Sequence, residues 1–123
     1  MKPGRTGFAR ILYAAKYSWQ GLCASYKNEA AFRQELLLAI ILIPSAFWVG
    51  KNSVEMAILI ASVLLLLIVE LINTAIEAVV DRFGEEWNKL SGVAKDVGSA
   101  AVMIALVLLI VVWGLIAGEN FFK

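Results

Sequence analysis

Four polar residues recur at intervals of three and four in the segment Glu70-Leu-Ile-Asn73-Thr-Ala-Ile-Glu77-Ala-Val-Val-Asp81. At 100° per residue, Glu70, Asn73, Glu77 and Asp81 fall within an arc of about 80°, one stripe of a single helix. Leu71, Ile72, Ala75, Ile76, Val79 and Val80 keep the other faces apolar, and residues 56–69 before them carry no charge. An ionisable group at mid-membrane costs roughly 2.5–3.5 kcal/mol on insertion scales, so such groups are usually partnered and functional. Three carboxylates and a carboxamide in one row can hold a hard cation, take a proton from a hydroxyl, or do both.

Further polar groups flank the stripe: Asn28-Glu29 with Arg33-Gln34-Glu35, then Glu85-Glu86, then Lys95-Asp96 with Ser99. Oxygen ligands without histidine suit Mg²⁺, which usually takes one or two carboxylates together with substrate phosphates. Lys95 can hold a phosphate as a point charge. Phosphoryl transfer needs little beyond such positioning, a metal and positive charge. The chain has no G-x-x-x-x-G-K-[ST] and no protein-kinase signature, so a nucleotide site here is unlike the common ones.

Other readings of the same residues stay open at this level. Glu70 and Asn73 can be hydrogen-bonding partners between helices. Glu77 and Asp81 can be a solvated helix end, as can Glu85 and Glu86. Lys95 and Asp96 can anchor and cap the helix that follows. An acidic stripe can also line a channel or proton pathway, although residues 56–69 offer only Ser62 as a polar group.

The elements that must position these residues are helices in a membrane. The chain has 123 residues and is 61% hydrophobic but only 17% charged, where a soluble domain is about a quarter charged. Those figures indicate one integral-membrane domain with no second, soluble one. The net charge of +1 gives no polyelectrolyte case for nucleic acid, and the absence of His excludes His-based acid–base chemistry. The single Cys23 cannot form an intrachain disulfide.

Residues 5–27 predict an amphipathic surface helix. Phe8, Ile11, Leu12, Ala15, Trp19, Leu22, Cys23 and Tyr26 share one face, opposite Arg10, Lys16, Ser18, Gln20 and Lys27. Three spans are predicted at about 29–50, 54–81 and 97–118. The first is uncharged only over residues 36–50, about 22 Å of helix, so it must begin near Glu29 and carry Arg33, Gln34 and Glu35 at the membrane edge. Pro44 is expected to kink it without ending it. The second is longer than a bilayer requires, which leaves Glu70 about one turn inside the hydrocarbon and Glu77 and Asp81 in the headgroup zone. Trp48 and Trp113 lie near the ends of their spans, as interfacial aromatics do. Lys2, Arg5, Arg10, Lys16, Lys27, Arg33, Arg82, Lys89 and Lys95 fall on one side of this arrangement, against Lys51 and Lys123 on the other. The positive-inside rule then predicts a cytoplasmic N-terminus and a periplasmic C-terminus in a bacterial inner membrane.

The sequence resembles the small bacterial integral-membrane diacylglycerol kinase family. The matching stretches are Asn28-Glu-Ala-Ala-Phe-Arg-Gln-Glu35, Val69-Glu-Leu-Ile-Asn-Thr-Ala-Ile-Glu-Ala-Val-Val-Asp-Arg82 and Leu90-Ser-Gly-Val-Ala-Lys-Asp-Val-Gly-Ser-Ala-Ala-Val102, with Thr6-Gly7-Phe8 and Tyr17-Ser18-Trp19. Cys23 and Met56 stand where a basic residue is more familiar in that family. The related undecaprenol kinases share a similar signature, but the Tyr17-Ser18-Trp19 run and the 90–101 stretch look more like the diacylglycerol enzymes.

The resemblance implies an ATP- and Mg²⁺-dependent enzyme that phosphorylates diacylglycerol to phosphatidic acid, working as a homotrimer with shared active sites. It implies that Glu70 is the general base and that Glu29 and Glu77 hold metal and ATP. Tyr17, Glu86, Asn88, Lys95 and Asp96 would surround the nucleotide. Arg10, Ser18, Trp19, Arg33, Gln34, Glu35, Trp48, Ser99 and Trp113, with Glu70 itself, would lie along the lipid path, and Asn73 and Asp81 would support the site.

Overall fold

The structure, a computed structural model, describes residues 6–84, 86 and 88–122. Of the residues named above, Lys2, Arg5, Glu85 and Lys123 lie outside them. The described residues form helices without a strand: α1 (Gly7–Asn28), α2 (Ala30–Val49), α3 (Ser53–Arg82) and α4 (Lys89–Phe121). At 1.5 Å per residue, the 20, 30 and 33 residues of α2, α3 and α4 are about 30, 45 and 50 Å long. All three are long and apolar enough to cross a bilayer.

Local chemistry explains where each helix starts and stops. A single extended residue, Glu29, separates α1 from α2: its N–H donates to the Ser25 carbonyl at 2.9 Å and its carbonyl accepts from the Arg33 N–H at 3.2 Å. The Arg33 guanidinium donates to the Tyr26 carbonyl at 2.7 Å and the Lys27 carbonyl at 3.2 Å. A cation thus closes the last turn of α1, where carbonyls lack helical partners and the dipole is negative. Pro44 lies inside α2, which continues past it to Val49. The Asn52 side chain caps α3 by accepting from the Glu55 N–H at 2.9 Å. The Asn88 side chain caps α4 by accepting from the N–H groups of Leu90 and Ser91 at 2.9 and 3.1 Å. That cap is why α4 begins well before its charge-free run at residue 97.

α3 is the central element, packed along α4 on one side and α2 on another. Ala39, Val63, Leu66, Ala105 and Leu109 form the buried core where these three helices meet. The seam contains one polar node, in which Trp113 Nε1 donates to the Leu59 carbonyl and to Ser62 Oγ, both at 3.2 Å. At the far end Asn120 Nδ2 donates to the Val49 carbonyl at 2.7 Å and to Glu55 Oε1 at 2.9 Å. These bonds tie the last turn of α4 to the α2–α3 connection.

Much apolar surface faces outward, including Leu37, Ile40, Phe47, Ile104, Ile110 and Leu115. Patches of this extent are incompatible with a soluble monomer, and the chain is a membrane protein. The apolar face of α1 is largely exposed too: Phe8 and Trp19 are 73% and 68% exposed, and Ser25 is the buried residue of that helix.

Candidate active site

Glu70 is 3% exposed, the one carboxylate buried to this degree among the described residues. It lies on the face of α3 that also presents the buried residues Leu59, Ser62, Val63 and Leu66, so the polar stripe begins inside the helical packing. Across from it, the Glu35 carboxyl of α2 meets the Glu70 carboxyl. Neither composition nor the periodicity of α3 reveals that contact, because the two residues belong to different helices.

Further along the stripe, Asn73 and Glu77 are half-buried and Asp81 is exposed. Glu77 lies within electrostatic range of Glu29 at the α1–α2 corner, of Lys95 on α4, and of Glu70 and Asp81 on its own helix. The tertiary fold therefore brings Glu29 toward Glu77, which the linear sequence separates widely. Lys95 Nζ sits 2.7 Å from Asp81 Oδ1 and closes the end of α3 onto the start of α4.

Beside this ion pair is a cleft of about 570 Å³ whose lining includes Asp81, Gly84, Glu86, Asn88, Ser91 and Lys95. Gly84 turns the chain here with φ of +99°, a conformation that side chains disfavour. The cleft has the size of ordinary small-molecule sites. Two apolar grooves are bordered by α1. One, of about 370 Å³, is walled by Trp19, Cys23, Tyr26, Phe32 and Leu36; the other, of about 450 Å³, has Ser18, Gly21 and Ser25 facing Leu71, Thr74 and Ala78 of α3. A polar cleft at the end of the stripe and a greasy groove along residues 71–78 of the same helix suit two substrates of opposite character.

The comparison with known proteins decides the family. The model of the prokaryotic diacylglycerol kinase family matches residues 16–117. The chain belongs to that family. It is 48% identical over 121 residues to the diacylglycerol kinase of Escherichia coli (strain K12), covering 98% of this chain and 99% of the relative. The corresponding Haemophilus influenzae protein is 51% identical over 109 residues, 89% of this chain and 92% of its own. That of Pseudomonas aeruginosa is 51% identical over 113 residues, 92% of each.

Set against the diacylglycerol kinase pattern, the fold gathers some of the anticipated residues and separates others. Glu35 meets Glu70 at one end of the stripe, Glu77 lies within range of Glu29, Glu70, Asp81 and Lys95 further along it, and Glu86 and Asn88 line the adjoining cleft. Arg33 spends its guanidinium on the α1 carbonyls. Tyr17 stacks on Tyr13 with ring centroids 6.3 Å apart, and neither it nor Arg10 lines the cleft. Gln34, Asp96 and Ser99 are exposed on outer faces of their helices. Trp48 stacks on Phe121, centroids 5.0 Å apart, and Trp113 binds the α3 backbone at Leu59. Leu59 is eleven residues, about 16 Å along the helix, from Glu70.

Among the described residues, no three His, Cys, Asp or Glu side chains converge as a cage for a metal ion. The donor chemistry nevertheless fits Mg²⁺ held jointly with a nucleotide. Glu29 and Glu77 are two carboxylates brought together from different elements, and Mg²⁺ typically draws its remaining ligands from phosphates and water. Sequence reasoning missed Gly98, which α4 presses against Asn73. The run Gly98-Ser-Ala-Ala is the signal that was available, since small residues let helix backbones approach closely in membranes.

Proposed function

We propose that the chain transfers the γ-phosphate of ATP to the free hydroxyl of diacylglycerol, giving phosphatidic acid and ADP. The observation that carries this reading is the gradient along one face of α3. Glu70 is buried at the level of the apolar grooves, and Asp81 stands about 16 Å further along the same helix, in the wall of the polar cleft. A lipid alcohol and a polyanionic nucleotide can each keep to the medium they prefer and still meet on that face.

In the proposed reaction the lipid oxygen attacks Pγ, an O–P bond forms, the bond from Pγ to the β–γ bridging oxygen breaks, and ADP leaves. Glu70 takes the hydroxyl proton as the bond forms, with the Glu35 carboxyl holding it in place. Lys95, oriented by Asp81, holds phosphate oxygens with Glu86 and Asn88 nearby. Glu29 and Glu77 would hold Mg²⁺, which would neutralise charge on the phosphates. Ser18 and Trp19 border the grooves that receive the acyl chains, and Trp48 and Trp113 stand further along the acyl path.

We place α1 in the plane of the membrane surface, which its bare apolar face supports. The excess of Lys and Arg supports a cytoplasmic N-terminus and cleft, a periplasmic C-terminus and an inner-membrane location. Arg10, Tyr17, Gln34, Asp96 and Ser99 would act in a homotrimer, where an outer face of one copy borders the site of the next. Their exposure within a single chain is consistent with that assembly.

The deciding experiment gives the purified protein in detergent MgATP and a mixture of diacylglycerol and undecaprenol, with the phosphorylated product identified. Phosphatidic acid is expected. Phosphorylated undecaprenol alone would reassign the acceptor, and ATP-independent ion flux in vesicles without any lipid phosphorylation would overturn the reading.

A further inference from the structure

α4 meets the polar stripe of α3 at a residue without a side chain. Gly98 is one of the buried residues of α4. A Cβ built there would collide with Asn73 Oδ1, lie 3.3 Å from Asn73 Cγ and rest in ordinary contact, 3.9 Å, with Asn73 Cβ. The hydrogen that this Cβ would replace therefore points at the carboxamide oxygen, a weak Cα–H···O contact. Asn73 Oδ1 is sealed from solvent and has no hydrogen-bond partner among the described residues. Leaving a buried acceptor unpaired is costly, so packing alone does not account for a carboxamide here. Its neighbours along the stripe are Glu70, three residues before, and Glu77, four residues after.

Resting on the kinase reading above, we propose that Gly98 is a positioning residue for phosphoryl transfer. Its missing side chain lets the Asn73 carboxamide seat flush against α4, one helical turn from both the base and the metal-binding carboxylate. The group that an added methyl would strike is the far end of a side chain, not backbone. An alanine at 98 can therefore be accommodated by swinging the carboxamide out of its seat. Because Cγ is crowded as well as Oδ1, turning the amide about its last bond does not relieve the contact, and the whole group must leave. The α3–α4 seam around Val63, Leu66, Ala105 and Leu109 does not depend on that carboxamide.

The test compares Gly98→Ala, Asn73→Ala, the double variant, and Gly114→Ala as a control at an α4 glycine with open space around it. Each full-length protein is assayed in mixed micelles with MgATP and whichever lipid alcohol the wild type phosphorylates, and folding is followed by thermal unfolding. Gly98→Ala should lose kcat by about 100-fold, the scale of a misplaced group, with little change in KM for MgATP. Asn73→Ala should lose a comparable amount, and the double variant should fall no further than Asn73→Ala alone. Gly114→Ala should match the wild type.

The proposal is overturned if folded Gly98→Ala keeps kcat within twofold, if Asn73→Ala is fully active, or if the two losses multiply in the double variant. If Gly98→Ala fails to fold, recovery of fold in the double variant supports the proposal, and failure of both overturns it. Wild-type protein inactive toward diacylglycerol but active on another lipid would overturn the acceptor assignment, while the variant ratios on that lipid would still decide the role of Gly98.

Discussion

Lys95 Nζ and Asp81 Oδ1 lie 2.7 Å apart, joining the last turn of α3 to the second turn of α4. Both side chains are well exposed, 44% and 65%, so the pair contributes little to stability. In the proposed reaction its use is to hold an ammonium at the cleft. Lys95→Met is therefore expected to change the unfolding temperature little while weakening nucleotide binding by about 10- to 100-fold, the worth of a charged hydrogen bond. Asp81→Asn should show the same pattern more weakly. Nucleotide titration alongside thermal unfolding checks both, and a large loss of stability with unchanged nucleotide affinity would contradict this use of the pair.

Glu70→Gln keeps the shape of the side chain and removes its capacity to take a proton. Turnover should fall by about 10²–10⁴-fold, the usual worth of a general base, with MgATP binding largely intact. Steady-state rates and equilibrium nucleotide binding on the same preparation separate the two effects. Activity near the wild-type rate would show that the proton goes elsewhere.

Glu77→Gln removes one of two candidate carboxylate ligands and leaves Glu29 in place. The Mg²⁺ concentration for half-maximal activity should rise by about tenfold or more, or activity should be lost outright. A magnesium titration at fixed ATP checks this. An unchanged titration would remove Glu77 from the metal site.

Trp113→Phe keeps an aromatic ring in the α3–α4 seam but loses the donor to the Leu59 carbonyl and Ser62 Oγ. Interhelical hydrogen bonds in membranes average about 0.6 kcal/mol and reach about 1.7, so a small loss of stability is expected. The rate of phosphoryl transfer should hold, because the indole lies far from Glu70. Unfolding in mixed micelles and kcat measured together distinguish this from a direct role in the reaction.

The helices and the polar stripe were legible in the residues alone, because periodicity at three and four residues is a local property that survives any packing arrangement. Long uncharged runs mark the spans, and the 70–81 signature points to the family. Caps could be read only partly: Asn88 precedes α4 where a cap is needed, yet the apolar pattern suggests a start eight residues later.

The relations between helices were decided only by tertiary structure. How far each helix is rotated about its axis, and how deep it sits against its neighbours, leaves no periodic trace in the sequence. Those two quantities set Glu35 against Glu70, bring Glu29 toward Glu77, close Lys95 onto Asp81 and press Gly98 on Asn73. They also turn Arg33 back onto the carbonyls of α1. The amino acids by themselves determined a row of acidic groups on a membrane helix, since side-chain direction along one helix follows from its geometry. Which groups from other helices face that row was determined by the burial of Ala39, Val63, Leu66, Ala105 and Leu109, which locks the helices in a single rotational setting.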